Sequence, residues 1–308
     1  ALFLGAQVHA LSIYEQAPMP GPIGAGFLLQ PTGLAVLARL GLAEQVLDWG
    51  QRIDRLFGCN QRGRAVMDMR YADYAPDCFG VGLSRGSLFT VLRDAYADHR
   101  RIRTGTRMVA LNAAGDGLLD SEAGEHGPFD LIIAADGAHS VLRHAISGVV
   151  RRERTYPWGA MWCLLPAGDW PHAAVLHQRY VGTREMIGLL PVGRRVDRDG
   201  RWLTFYFSLP GDRVGTFDAS SLQRMRQRVA VLWPELLPLL ECIETHDQMQ
   251  RARYRDVVVR QSTVSRVVFI GDAAHAMSPQ LGQGVNMALL DAEALADVLA
   301  GSHSIAEA

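Results

Sequence analysis

The sequence predicts an α+β fold: an open α/β part, in which buried strands run into helices, interrupted by a mostly antiparallel sheet. Three observations point there. Two continuous apolar runs, residues 131–135 and 267–270, each end on an Asp/Gly pair, Asp136-Gly137 and Gly271-Asp272, in the manner of buried parallel strands. Between residues 155 and 210 the pattern changes to short alternating runs rich in Trp, Tyr and Phe. Hydrophobic residues make up 48% of the 308, enough to bury one large core or two smaller ones.

Taken in order, residues 1–4 read as the tail of a helix, and residues 10–15 as a buried parallel strand that ends on an acid, Glu15. A Gly/Pro-rich loop covers 18–26. Helical spacing of apolar residues follows over 31–47, with a break at Gly41. Sequence of mixed character runs to residue 82. The next amphipathic helix is predicted over 87–99, with Leu88, Val91, Leu92 and Ala95 on its apolar face. After the 131–135 strand come the alternating runs 174–181 and 202–209, with turns at Gly182 and Gly200. The α/β pattern resumes with the 267–270 strand and a helix from about Gly284 to Leu299. No internal repeat or low-complexity tract interrupts it.

Composition narrows the functional classes. Basic residues number 31 and acidic residues 32, so no net field is available to hold a nucleic-acid backbone or an anionic membrane face. The four cysteines, Cys59, Cys78, Cys163 and Cys242, form neither a C-x-x-C pair nor a disulfide-like framework. They read as reduced thiols of a cytoplasmic protein. Ten histidines show no metal-ligand spacing, so no metal site is expected. No apolar run reaches the length of a membrane span, which needs roughly 20 residues, and no signal peptide is evident.

The segment with most chemical content is 266–292, R-V-V-F-I-G-D-A-A-H-A-M-S-P-Q-L-G-Q-G-V-N-M-A-L-L-D-A. Its strand delivers Asp272 at the carboxyl end, where open α/β sheets bind ligands and a carboxylate can accept from sugar-like hydroxyls. Gly282 and Gly284 remove side chains just ahead of a helix. Backbone N–H groups and the positive helix end can then approach a flat, electron-rich ligand. This segment resembles the second FAD-binding motif of the flavoprotein aromatic hydroxylases, relatives of salicylate and para-hydroxybenzoate hydroxylases. Residues 130–143, D-L-I-I-A-A-D-G-A-H-S-V-L-R, are similar to that family's Asp-Gly motif, which serves both FAD and the nicotinamide donor.

The resemblance implies a Rossmann-like FAD-binding domain and a reaction in which NADH or NADPH reduces FAD and O2 adds to the flavin. A flavin C4a-hydroperoxide then hydroxylates an aromatic or related electron-rich small molecule. It implies that Asp136 and Gly137 help hold the pyrophosphate region, that Asp272 contacts the ribityl chain, and that Pro279 lies beside the isoalloxazine. Gly282, Gly284, Val285 and Asn286 would border the flavin pyrimidine edge. Glu15 stands where such folds place an acid on the adenosine ribose, and Arg85, in R-G-S-L-F-T-V-L, matches the family's arginine at the start of a helix against the cofactor. The implied domains are discontinuous: 1–57, 85–150 and 263–308 for FAD, and 58–84 with 151–262 for substrate. Gln178, Tyr180, Met186 and Phe205 lie on predicted strands that would roof the flavin, although alternation alone does not say which face points inward.

The sequence departs from the family where no G-x-G-x-x-G precedes the Glu15 strand. The spacing places residue 1 inside the helix that should follow that loop, and relatives continue beyond residue 308. Two other readings stand at this point. One is a fragment that keeps the fold without catalysis. The other is a serine hydrolase, because Gly82-Leu83-Ser84-Arg85-Gly86 fits the G-x-S-x-G nucleophile elbow. Against Ser84 as nucleophile, no strong buried strand is predicted to lead into it.

Overall fold

The computed structural model describes residues 1–7, 9–21, 25–98 and 101–301. Compactness divides the chain into two units. The first comprises Ala1–Gly21, Leu92–Thr155 and Arg255–Ala308, and the second comprises Pro22–Val91 and Tyr156–Tyr254. Two strands, Val150–Pro166 and Gln250–Val259, run from one unit into the other.

Within the first unit, Ile132–Ala134 pairs in parallel with Val267–Phe269, whose other edge carries Thr263–Val264. The central strand is buried at all three residues. Its core gathers Ile132, Ala134, Leu142, Val149, Val267 and Phe269, so the apolar runs are continuous because both their faces are covered. The expected strand at 10–15 is shorter than its sequence suggests. Only Ile13–Tyr14 is paired, in parallel with Ile102–Arg103, and both residues are half-buried. A three-stranded antiparallel meander, Met108–Leu111, Leu118–Asp120 and Glu125–His126, also belongs to this unit. The last helix, Gly284–Gly301, is tied to the first, Leu2–Ala6, by Gln7 Nε2 donating to the carbonyl of Ala296 at 3.0 Å.

The second unit is built on a seven-stranded sheet in the order Gln250–Val259, Val150–Pro166, Arg201–Pro210, Glu185–Arg194, Val175–Val181, Arg55–Asn60 and Ala65–Arg70. From Val150–Pro166 onward the neighbours pair antiparallel, except that Val175–Val181 runs parallel to Arg55–Asn60. The mostly antiparallel character predicted for 155–210 is therefore observed, with positive φ at Gly182 and Gly200 where the turns fall. One face carries Met161, Cys163, Ile187, Leu189 and Phe205 under the helix Ala219–Leu232. The opposite face is covered at one end, around Leu56, Leu190 and Trp202. That end faces a second, three-stranded sheet of Gly26–Leu29, Gly80–Ser84 and Gln51–Ile53, which contributes Leu28 and Ile53.

Several local expectations change. The mixed stretch before residue 82 contains a hairpin, Arg55–Asn60 with Ala65–Arg70, and the buried strand Gly80–Ser84. Residues 31–47 form two helices, Pro31–Arg39 and Ala43–Trp49, parted at Gly41 (φ +73°) as the pattern predicts. The helix expected at 87–99 runs Arg85–Ala95. Leu88 and Val91 are buried on it, whereas Ala95 is exposed, and His99 lies outside the described residues, as do residues 22–24 of the predicted loop. Among the described residues no helix is long and apolar enough to cross a membrane, and no group of three or more His, Cys, Asp or Glu is placed to hold a metal ion.

Candidate cofactor site

The site builds up from the end of the Val267–Phe269 strand. Gly271 adopts φ +57°, a conformation that favours glycine, and this turn starts the short helix Asp272–His275. Asp291, two turns along the last helix, holds the turn. Its Oδ2 accepts the Gly271 N–H at 2.7 Å and lies 2.6 Å from His275 Nε2. The hydrogen bond to Asp291 raises the pKa of His275 above its ordinary value, against a desolvation that lowers it. Burial pushes Asp291 the other way, but its bonds to His275 and the Gly271 N–H hold its carboxyl below the usual carboxylate range. Asp272 itself is exposed, and its carboxylate is not engaged in the hydrogen bonds of this turn.

The chain then turns through Pro279–Leu281 into Gly282, which is left-handed at φ +59°, and enters the helix at Gly284. A side-chain carbon at Gly284 would meet only Asp272 Oδ1, at 3.8 Å. The open carboxylate and the bare helix start therefore face a common space. Asn286 is fully buried and donates from Nδ2 to the Gly282 carbonyl at 3.0 Å, fixing the loop from below; Val285 is half-buried beside it.

The Asp-Gly segment is arranged differently from its simplest reading. Asp136 Oδ2 accepts from the backbone N–H groups of Val141 (2.9 Å) and Leu142 (3.3 Å), so this carboxylate caps the helix Val141–Ala145. Gly137 is at φ +82°, and a side-chain carbon there would meet nothing within 4 Å, which leaves its backbone open to approach. Arg143, fully buried, straps the two motifs together: it donates to the carbonyls of Ala138 and Ala273, both at 2.8 Å. Glu153 Oε2 lies 3.4 Å from the same guanidinium. Glu15 accepts from the Ala17 N–H through one oxygen at 2.7 Å. Arg143, His275 and Asp291 are missing from the residues picked out by sequence; all three stand inside the quoted motifs, but the bonds they make depend on how the chain folds back.

In the second unit, Arg85 is exposed at the start of Arg85–Ala95. Burial raises the Tyr254 phenol to about 12, and Arg85 lies close enough to favour its ionised form against that rise. Gln178, Tyr180 and Met186 come together. Tyr180 donates its hydroxyl to Gln178 Oε1 at 2.8 Å, and Gln178 Nε2 donates to Met186 Sδ at 3.1 Å. Phe205 does not join them. It pairs with Leu189 and Cys163, and its side chain is fully buried in the core on the opposite face of the sheet.

Ser84 is also corrected in its surroundings. A strand buried at all five residues, Gly80–Ser84, does lead into it and a helix does follow. That strand is the centre of an antiparallel sheet, however, whereas a nucleophile elbow sits on an α/β-hydrolase sheet. Ser84 Oγ is itself buried, accepts the Ser87 N–H at 3.0 Å and lies 2.8 Å from Ser87 Oγ. It works as a helix cap.

A strand-end carboxylate facing a glycine-led helix, joined by a buried arginine to an Asp-Gly turn, has the donors, acceptors and open backbone that a dinucleotide flavin requires. These features suit a flavin-binding protein. The profile of the FAD binding domain family matches residues 7–304, and the chain belongs to that family. It is 25% identical over 318 residues to the FAD-dependent monooxygenase paxM of Penicillium paxilli, with 93% of this chain aligned, and spans 64% of that protein's length. It is 26% identical over 320 residues to an FAD-dependent urate hydroxylase of Klebsiella oxytoca, covering 98% of this chain and 78% of the relative. The fold matches that of Klebsiella pneumoniae HpxO complexed with FAD and uric acid, with a TM-score of 0.80, 22% identity, and coverage of 99% of this chain and 77% of that one.

Proposed function

We propose that this chain is the greater part of an FAD-dependent monooxygenase that hydroxylates an aromatic or related electron-rich small molecule, using NADH or NADPH and O2. The observation that carries the reading is the exposed Asp272 carboxylate beside the Gly284 helix start. The first compact unit serves as the cofactor unit and the second as the substrate unit. Four free cysteines fit a cytoplasmic protein.

FAD, when bound, supplies the redox chemistry of hydride acceptance and oxygen activation. The chain's own residues supply the rest. Asp272 accepts from the ribityl hydroxyls, and the second oxygen of Glu15 accepts from the adenosine ribose. The first N–H groups of Gly284–Gly301, near Val285 and Asn286, favour negative charge on the pyrimidine edge of the ring, with Pro279 alongside. Gly137 leaves room for the pyrophosphate. Asp136 acts on it indirectly, by fixing the helix that Arg143 then straps to the Asp272 turn.

Reconstitution tests this. Added FAD should turn the protein yellow, and a panel of phenols, anthranilates and heteroaromatics should contain compounds that accelerate NAD(P)H oxidation and O2 uptake together. FAD uptake with oxidation rates indifferent to every aromatic, alongside turnover of a dithiol or another hydride acceptor without O2, would make it a flavin reductase or dehydrogenase instead.

A further inference from the structure

The register of the seven-stranded sheet sets Trp162, Tyr206, Gly188, Gln178, Gly58 and Met67 in one row across its face. This is the face whose other end is covered around Leu56 and Leu190. At Gly188 a side-chain carbon would make only ordinary contacts, 3.7 Å from Gln178 Cγ and 3.7 Å from Tyr206 Cβ, so the row has a bare floor between a phenol and an amide. Gly58 is different: the Tyr180 ring lies across it, where a side chain would collide with the ring carbons. That placement carries the Tyr180 hydroxyl to Gln178 Oε1, and the next bond, from Nε2 to Met186 Sδ, fixes the amide plane.

The bonding leaves Gln178 with a defined character. Its oxygen is occupied by Tyr180 and one N–H points to sulfur, so one N–H remains as a donor. The row and the adjoining Tyr180 and Met186 carry no charged side chain. Arg251 and Arg253, on the edge strand, alternate with Tyr254 and turn to the other side, where Arg251 reaches the Phe217 carbonyl and Arg253 lies against Gly215. Among the described residues, cations border the row at Arg62, which lines the same hollow as Met67 and Tyr180, and at Arg85, beside Tyr254. A carboxylate placed on the Gly188 floor would lose water without gaining a partnered cation there, a costly exchange. A flat neutral ring would stack on the bare floor and meet the remaining Gln178 N–H.

We infer that the substrate is an uncharged aromatic or heteroaromatic ring bearing a hydrogen-bond acceptor, such as a ring carbonyl or ring nitrogen, and that Gln178, held by Tyr180 over Gly58, reads that acceptor. The inference rests on the proposed assignment of this unit to the substrate.

Calorimetric titration of the FAD-loaded enzyme with two bicyclic probes tests it: 2-methyl-4-quinolone, which presents a neutral ring carbonyl, and quinoline-4-carboxylate. The quinolone should bind at least about tenfold more tightly. Gln178→Leu should remove about a tenfold advantage, the size expected for one lost hydrogen bond. Tyr180→Phe, which leaves the amide unanchored, should weaken the quinolone several-fold with FAD content unchanged. Equal or tighter binding of the carboxylate, binding of neither probe, or a quinolone affinity indifferent to both substitutions overturns the inference. If the quinolone binds as stated but takes up no label from oxygen-18 gas, the substrate class stands and the proposed reaction falls.

Discussion

Asp291 uses one oxygen for two tasks, the Gly271 N–H and His275, so its substitution should be felt as a change in pH dependence as well as in stability. His275 has a raised folded-state pKa. Its contribution to stability is therefore full below the unfolded value of about 6.5 and is lost as pH rises through the raised value. Asp291, with a lowered pKa, contributes above its unfolded value and fails only as pH falls through the lower folded one. Thermal melts of the wild type should thus decline as pH rises from about 6.5 through the raised value, and Asp291→Asn should flatten that decline. An unchanged slope would remove the pair from the account. Asp272→Ala should weaken FAD binding by about one to two decades, as for a lost hydrogen bond to a charged group; fluorescence titration with FAD measures it, and undiminished affinity would refute the ribityl role. Asp272, Gly282 and Gly284 are legible in the sequence because strand, turn and helix start are contiguous there. The His275–Asp291 pair is not, since its meeting depends on how the last helix returns to the strand end. The capping bond of Asp136 to residues five and six positions on is equally invisible to a motif that marks it only as polar.

At the level of elements, the strand Gly80–Ser84 shows why the region before residue 82 reads as mixed. Two of its five residues are glycine, which is depleted in strands. Gly82 is required by crowding: a side chain there would overlap the Pro191 carbonyl of the neighbouring sheet. Gly82→Ala should destabilise the second unit by about 1–3 kcal/mol through overpacking, read from urea melts. Ser84→Ala should cost about 1 kcal/mol as a lost helix cap, while turnover per bound FAD stays near the wild-type value. Labelling of Ser84 by a fluorophosphonate, with loss of esterase activity in the variant, would revive a hydrolase. The aromatic-rich antiparallel strands are legible from alternation, yet alternation does not tell which face meets the helix Ala219–Leu232. That ambiguity is why Phe205 reads as a pocket residue in sequence and is core in the structure, whereas Gln178 and Tyr180, one face over, are not.

Across the whole chain, the two compact units are discontinuous, and the α/β pattern that stops near residue 150 and resumes near 263 is visible in the sequence because buried parallel strands and alternating antiparallel ones differ in periodicity. Compactness places residues 22–57 with the second unit, because Gly26–Leu29 and Gln51–Ile53 flank Gly80–Ser84 in one sheet; short edge strands carry too little pattern to reveal that partnership. The central claim is that such a molecule transfers one oxygen atom from O2 to an aromatic ring, and it is tested most directly by oxygen-18 gas. An accelerating aromatic, NAD(P)H and labelled O2 should yield a product heavier by a single labelled oxygen, with peroxide a minor product by catalase addition. Label found only in peroxide or water, with the aromatic recovered unchanged across the panel, would contradict the claim.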